Sequence, residues 1–443
     1  MTAEGRPTRT GRRLTVTRQL GEWAPTAAHV RAVLLGGGAL ALGAILRRPD
    51  LIVIGVPLVV AAVWGQLTRP REDATARAQL AQSTLREGES SSLVVRVEPL
   101  PADCSGVMLL AETQWVQRNP PAGVAPVEGL VSAMGVRSMR WGVRPLGTVS
   151  IALTSPWGAF RCGPVDLPDL TTTTLPVPAV FDASAPTPHP RGIVGINRSA
   201  RPGAGSEFNT IREFQPGDRL RRIHWPVSLR TGRLHVTSTF ADEDAHVVLL
   251  VDAFSDLGPR EGIDGRPTSL DVTVRAAGAL ADHFLRAGDR LTLRTVGAAD
   301  IPPLGVGSGT HHLRRVLETL ARIEPASERR DDGRRAIRGL DPLGLVLVLS
   351  PLIEPTMVEL TTTLASRGLT TVVIDTFPEH LTATPDDPYQ ALAWRIRLLS
   401  RQAQVGAIIS RGVPVVPWRG PGSLDNVLRD VAHRATAPRM VRR

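Results

Sequence analysis

Two stretches near the start of the chain carry no charged side chain, and they constrain its fold more than anything that follows. Residues 32–46 read AVLLGGGALALGAIL and residues 51–67 read LIVIGVPLVVAAVWGQL, with Arg47, Arg48, Pro49 and Asp50 between them. Both runs are apolar on every face, whereas the helix of a soluble domain usually shows a single apolar stripe. Their length sits at the short edge of what crosses a bilayer as a helix. Joined by a tight polar turn, they predict a transmembrane hairpin at 32–67, with Trp64 placed as an interfacial aromatic. The competing reading is a buried helical hairpin of a soluble domain. The first run begins too far along the chain, and lacks the small-residue cleavage site, to be a signal peptide.

Arginine placement sets the expected orientation. Residues 1–31 hold six Arg against Glu4 and Glu22, and Arg69 and Arg71 follow the second run. Arg47 and Arg48 in the turn pull the other way but are outnumbered, so both ends are expected in the cytoplasm. This describes a multi-pass plasma-membrane protein with its large C-terminal domains cytoplasmic. Residues 1–31 show no sustained apolar period and read as a basic, disordered tail.

The 443 residues include 52 basic side chains, every one of them Arg. A chain without Lys has no Walker A loop and no Lys amine for Schiff-base or pyridoxal chemistry. Cys104 and Cys162 are too few and too far apart for a cysteine-based zinc site, though they could pair if exported. Of the net charge of +10, residues 1–31 and 434–443 each carry +4 and 191–235 carries +6, so the rest is slightly acidic.

Beyond the hairpin, residues 72–180 hold short β-prone stretches at 92–97, 106–110, 136–141 and 148–153, separated by Gly, Pro and Asn clusters. This predicts a small β-sandwich-like domain. Residues 176–205 are rich in Pro, Gly and Ala and read as linker, and a linker-and-motif region is assigned to 181–242. From 243 to 434 the pattern becomes strand–helix alternation. Strands are expected at 247–251, 291–296, 343–349, 370–374 and 413–416. Helices are expected on the 270/274/277/281/284 repeat and at 313–323, 355–366, 390–403 and from 423. Val/Leu-rich strands alternating with helices predict an α/β domain with a doubly wound, mostly parallel sheet. Residues 435–443 form a second basic tail.

The most distinctive stretch is 212–236, REFQPGDRLRRIHWPVSLRTGRLHV. Pro216-Gly217 is a turn pair, and Asp218 can accept backbone N–H bonds or pair with an Arg. Ile223 and Trp225 are apolar anchors among Arg212, Arg221, Arg222 and Arg230, and Thr231-Gly232 turns the chain into a strand containing Leu234 and Val236. Asp218, His224 and Ser228 could be arranged as acid, base and nucleophile, but no nucleophile elbow accompanies them. The arrangement favoured here is a structural network of Arg212, Glu213, Asp218 and the other Arg side chains that locks the segment to its domain and presents a partner-binding surface. The competing class is nucleic-acid or anionic-lipid binding through the nine Arg of 191–235. The interleaved Glu207, Glu213 and Asp218 weaken it, so nucleic acid is not the expected partner.

The pattern resembles the hallmark of the bacterial "domain of unknown function 58" family. Leu229 departs from the small residue usual at its place. The resemblance implies an N-terminal membrane hairpin, a β-rich region, the motif, and a von Willebrand factor A-like α/β domain. It also implies no established enzymatic activity, no catalytic residues, and association with a MoxR-type AAA+ ATPase. The expected function is therefore a membrane-anchored, non-enzymatic scaffold or adaptor.

A von Willebrand A domain can hold Mg²⁺ through an Asp-x-Ser-x-Ser loop with a later Thr and Asp. Here the loop is Asp252-Ala-Phe-Ser-Asp256, so Phe254 replaces the first Ser and Asp256 the second. Ser350-Pro-Leu352 offers no later Asp, and Thr310 is the Thr suggested by loop position. Asp252 and Asp256 are thus candidates for a degenerate site, and no cofactor is expected. A Mg²⁺-dependent adhesion module is the third alternative. Gly305–Gly309 resembles a phosphate loop but lacks Lys and reads as a plain loop. His311 and His312, adjacent at a helix start, should face different directions.

Overall fold

The computed structural model describes residues 8–10, 13–99, 103–127, 131–177, 202–215, 220, 223–240, 246–286, 288–298, 301–325, 336–340, 344–379, 381 and 388–419. They form a mixed α/β protein with mixed sheets and two apolar N-terminal helices. Two compact units result: residues 1–176 with 262–264, and residues 177–261 with 265–443.

In the first unit, β1 (Thr8–Thr10), β2 (Arg13–Gln19) and β3 (Ala24–Pro25) fall within the expected disordered tail. That expectation is corrected. Leu14 and Val16 alternate with Thr15 and Thr17, and with Leu20 and Trp23 they are buried in the core. Only Leu14 and Val16 carry the period of two, and the exposed Arg13 and Arg18 near the ends of the strand hide it.

The two apolar runs become α1 (Ala27–Ile45) and α2 (Pro49–Leu67). Helix α1 starts before the uncharged run because Thr26 caps it, its Oγ1 accepting the His29 N–H at 3.2 Å. Pro49 opens α2, where its missing N–H has no cost. Glycines set the closeness of the pair. A β-carbon on Gly36 would lie 2.9 Å from that of Leu58, and one on Gly55 would lie 3.0 Å from the Gly36 carbonyl. Such small-residue contacts let apolar helices associate by packing alone. The outer faces expose Leu34, Leu35, Leu42, Val53, Ile54 and Val60. At 19 residues each, the helices are long and apolar enough to cross a membrane.

The remaining strands of this unit are β4 (Thr75–Leu80), β5 (Thr84–Arg86), β6 (Ser90–Glu98), β7 (Ser105–Leu110), β8 (Val116–Asn119), β9 (Val124–Val127), β10 (Val131–Ser138), β11 (Gly142–Pro145), β12 (Val149–Thr154), β13 (Phe160–Asp166) and β14 (Thr171–Leu175). They build a six-stranded sheet β1-β2-β4-β6-β10-β8, a five-stranded sheet β3-β13-β12-β7-β9, and a small sheet β11-β14-β5. Alternate residues of the two larger sheets, such as Leu93, Val95 and Val97 from β6 and Val149, Ile151 and Leu153 from β12, enter one core. Both cysteines are free, and burial raises the pKa of each thiol.

The second unit opens with β15 (Pro202–Glu213), antiparallel to β16 (His235–Phe240), with α3 (Trp225–Thr231) between them. Strand therefore replaces the last residues of the expected linker. The α/β region follows as β17 (His246–Asp252), α4 (Ser269–Arg286), β18 (Arg290–Val296), β19 (Leu304–Gly307), α5 (Gly309–Leu320), β20 (Leu345–Ser350), α6 (Pro355–Ser366), β21 (Thr370–Asp375), α7 (Pro388–Ser410) and β22 (Val415–Pro417). The sheet order is β19-β18-β17-β20-β21-β22, parallel except for the β19 edge.

Helices cover both faces of this sheet. Val248, Leu250, Val346 and Val348 share a core with Met357, Leu360, Leu364 and Ile408 from α6 and α7. Their alternates Val247, Leu249, Leu345 and Leu347 are equally buried, as are Leu270, Val274, Ala277, Ala281 and Phe284 of α4. Val405 and Ile408 explain why α7 outruns its expected end at 403, since both pack into the core. The helix expected from 423 and the tail at 435–443 lie outside the described residues.

Candidate functional site

Chain order and strand order part company at β17, which has β18 on one side and β20 on the other. In open α/β sheets the crevice at the carboxyl ends of the strands beside such a reversal is where ligands bind. The register places Val251 beside Leu349, so Asp252 and Ser350 end adjacent strands, and Ser350 pairs with Asp375 on β21. Three polar residues thus stand side by side along this edge.

Asp252 is buried. Its Oδ2 accepts the Ser350 hydroxyl at 2.6 Å and its Oδ1 accepts the Phe254 N–H at 3.0 Å. Burial, with a smaller contribution from Glu354, pushes its pKa up to about 6, although both hydrogen bonds oppose the shift. Ser350 in turn accepts the Leu352 N–H at 2.9 Å. Asp375 repeats the turn, accepting the Phe377 N–H at 3.0 Å, and is ion-paired to Arg401 of α7. Arg401 lies over the Phe377 ring at 4.4 Å and donates to the Pro351 carbonyl at 2.7 Å. Arg397, one turn earlier, donates to the Ile353 carbonyl at 2.8 Å and faces Glu354 at 3.6 Å.

The metal candidates do not converge. Asp256 faces Arg260 at 3.0 Å, and Phe254 lies where an oxygen ligand is wanted, against Gly297. Gly297 has φ of +76°, and a β-carbon there would meet the Phe254 ring at 2.6 Å. Thr310 stands at the wrong end of the sheet. Strand β19 runs antiparallel to β18 and brings Gly307 back to Leu291, whereas Asp252 is level with Val296. Five residues of strand, about 16 Å, therefore separate the two levels. Among the described residues no three His, Cys, Asp or Glu side chains gather as a metal cage. Asp375, Arg401 and Glu354 escaped the sequence reading. The available signal was a second apolar strand ending in Asp-x-Phe, DTF at 375–377 after DAF at 252–254.

In the motif, Pro216, Gly217, Asp218, Arg221 and Arg222 lie outside the described residues. Those that are described divide into two groups. His224 caps α3 through Nδ1, which accepts the Val227 N–H at 3.4 Å. The Ser228 hydroxyl donates to the His224 carbonyl and accepts the His235 N–H, each at 2.9 Å, tying α3 to β16. Gly232 ends α3 at φ of +70°, its N–H returning to the Ser228 carbonyl at 3.0 Å. Ile223 bridges to Val236, which is buried. Glu213 pairs with Arg233 at 3.1 Å, and Arg212 donates to the Glu213 carbonyl at 3.1 Å.

The second group faces solvent: Leu220, Trp225, Leu229, Arg230 and Leu234. Trp225 is 58% and Leu229 80% exposed, and at i and i+4 they lie on one face of α3. Leu229, which departs from the family pattern, is thus part of an apolar surface.

The glycine-rich segment also resolves. Residues 304–307 are edge strand, and a β-carbon on Gly307 would lie 2.2 Å from His312 Nδ1. His312 is buried and donates through Nε2 to the Leu291 carbonyl at 2.9 Å, while His311 is exposed.

The structure defines an α/β protein with an apolar helical hairpin, a polar edge at its strand reversal and an exposed apolar motif. Residues 210–386 match the family described as "Protein of unknown function DUF58", which supports the assignment first suggested by the motif. Uncharacterized proteins of Mycobacterium bovis and of two Mycobacterium tuberculosis strains are 32% identical over 125 residues. That match covers 28% of this chain and 38% of each relative.

Proposed function

We propose that this protein is a membrane-anchored, non-enzymatic scaffold whose α/β unit is von Willebrand factor A-like and whose motif docks a protein partner, a MoxR-type AAA+ ATPase. In this reading α1 and α2 span the plasma membrane, the β unit is sandwich-like, and residues 72–443 lie in the cytoplasm. The observation that carries the proposal is the division within the motif. Ser228, His224, Gly232 and Val236 are consumed in holding α3 to its hairpin, while Trp225 and Leu229 are displayed to solvent on one face. Exposed Trp flanked by Arg is the composition of a binding hot spot. The segment's excess of Arg calls for a partner surface that is apolar and acidic. The commitment of the Ser228 hydroxyl to backbone groups argues against a nucleophile.

The test is a pull-down from membranes with the full chain, with and without ATP, comparing wild type with a Trp225→Ala/Leu229→Ala variant. Both residues are exposed, so each change is expected to alter stability by no more than about 0.5 kcal/mol. Recovery of an AAA+ ATPase that the double variant loses supports the proposal. Absence of any AAA+ protein, or equal recovery by the variant, defeats it.

A further inference from the structure

The turn that joins β12 to β13 is built into the open end of the helical hairpin. Ser155 closes it, accepting the Phe160 N–H on Oγ at 2.9 Å while its own N–H donates to the Phe160 carbonyl at 2.9 Å. Thr26, the cap of α1, donates through Oγ1 to the Gly158 carbonyl at 2.7 Å and through its N–H to the Ala159 carbonyl at 2.9 Å. On the α2 side, a β-carbon on Gly65 would lie 2.6 Å from that of Ala159, so only glycine allows this approach. Phe160 completes the joint, its ring 5.0 Å from that of His29 and 5.1 Å from the Arg69 guanidinium. The turn is thus held at the level where α1 begins and α2 ends.

At its tip Trp157 adopts φ of +62° and is 82% exposed. A bulky residue at positive φ is strained by about 1 kcal/mol or more. Here that strain serves to present an indole to the surroundings of the hairpin. Trp64, the residue before Gly65 on α2, is 55% exposed at the same level. Indoles prefer the headgroup zone of a bilayer, where the ring is sheltered and its N–H is hydrated.

We propose that the turn 155–159 is a membrane foot. Trp157 enters the phospholipid headgroup layer at the depth of Trp64 and seats the β unit directly against the bilayer. The occupant of this surface is the lipid that surrounds the hairpin, because the turn is continuous with the helix ends. The proposal rests on the transmembrane reading of α1 and α2.

The experiment uses the full chain in phosphatidylcholine–phosphatidylglycerol bilayers, with or without lipids brominated at the 6,7 acyl positions. Emission lost on Trp157→Phe isolates Trp157, and emission lost on Trp64→Phe isolates Trp64. Trp157 should be quenched by the brominated lipid to the same extent as Trp64, and both should be shielded from acrylamide. If Trp64 is quenched by lipid but Trp157 only by acrylamide, the foot is wrong and the hairpin reading stands. If neither responds to the brominated lipid, the transmembrane reading falls and the foot with it.

Discussion

Strands β17 and β21 end in the same pattern, Asp252-Ala-Phe254 and Asp375-Thr-Phe377, and each Asp accepts the amide two residues on at 3.0 Å. Their surroundings separate them. Asp375 has a guanidinium partner in Arg401, which also lies over its Phe. Asp252 sits deeper, with a hydroxyl and an amide but Glu354 as a charged neighbour, and its pKa rises to about 6. The same local turn therefore serves opposite ends. At β21 it is one side of an ion pair that ties α7 to the sheet, and at β17 it holds a carboxyl group that resists ionisation. A Mg²⁺ site needs several oxygen ligands converging at the switch point, whereas both oxygens of Asp252 are committed to the Ser350 hydroxyl and the Phe254 amide.

The largest effect expected from this comparison is at Arg401. Arg401→Ala removes the ion pair, the stacking on Phe377 and the bond to the Pro351 carbonyl together. With both partners only slightly exposed, the loss should be about 2–4 kcal/mol in a denaturation experiment on the detergent-solubilised chain. A loss no larger than that of an ordinary surface substitution would remove the anchoring role of Asp375.

Next comes the pH profile of Asp252. Its folded pKa lies above the usual 3.8, so the protonated form is favoured in the folded state. Below that usual value the carboxyl is neutral both folded and unfolded and there is no penalty. As pH rises through about 6 the unfolded chain gains from ionisation that the folded one resists. Asp252→Asn abolishes this titration and can keep both hydrogen bonds if the Ser350 hydroxyl turns from donor to acceptor. The variant should exceed wild type by up to about 3 kcal/mol near neutral pH, with the gap closing in acid. Parallel stability profiles for the two proteins would contradict the burial argument.

The smallest effect concerns metal. About 10 mM Mg²⁺ should raise the stability of the wild-type chain by less than about 0.3 kcal/mol. A larger increase that disappears in Asp252→Ala would turn the contrast around and make β17 a working metal edge.

Much of the α/β unit was legible because its strands are buried on both faces and its helices are amphipathic. Helix α6 falls at the expected 355–366, and the α4 repeat from Leu270 to Phe284 is buried as its spacing predicts. Strand β2 was hidden because only Leu14 and Val16 mark its inward face amid Arg and Thr. Its membership of a sheet depends on pairing with β4, about 60 residues on. The candidate edge was half legible. Asp252 stood out in the sequence, but Ser350 was noted only for the Asp missing there, and Arg401 meets Asp375 only because the fold brings α7 beside the loops after β20 and β21.

Composition, periodicity and the 212–236 motif by themselves determined that this chain has two apolar helices built on uncharged runs, an alternating α/β region and a stretch that matches DUF58. Those features are local, since burial pattern and backbone preference act within a few residues. Only the tertiary structure decided which end of the sheet each polar residue occupies. Thr310 and Asp252 were both plausible ligands in sequence, yet the reversal of β19 puts them at opposite ends of β18. The same holds for the motif, where Ser228 turns inward to backbone groups and Trp225 outward to solvent. Orientation across an element depends on what packs against it, and that partner lies elsewhere in the chain.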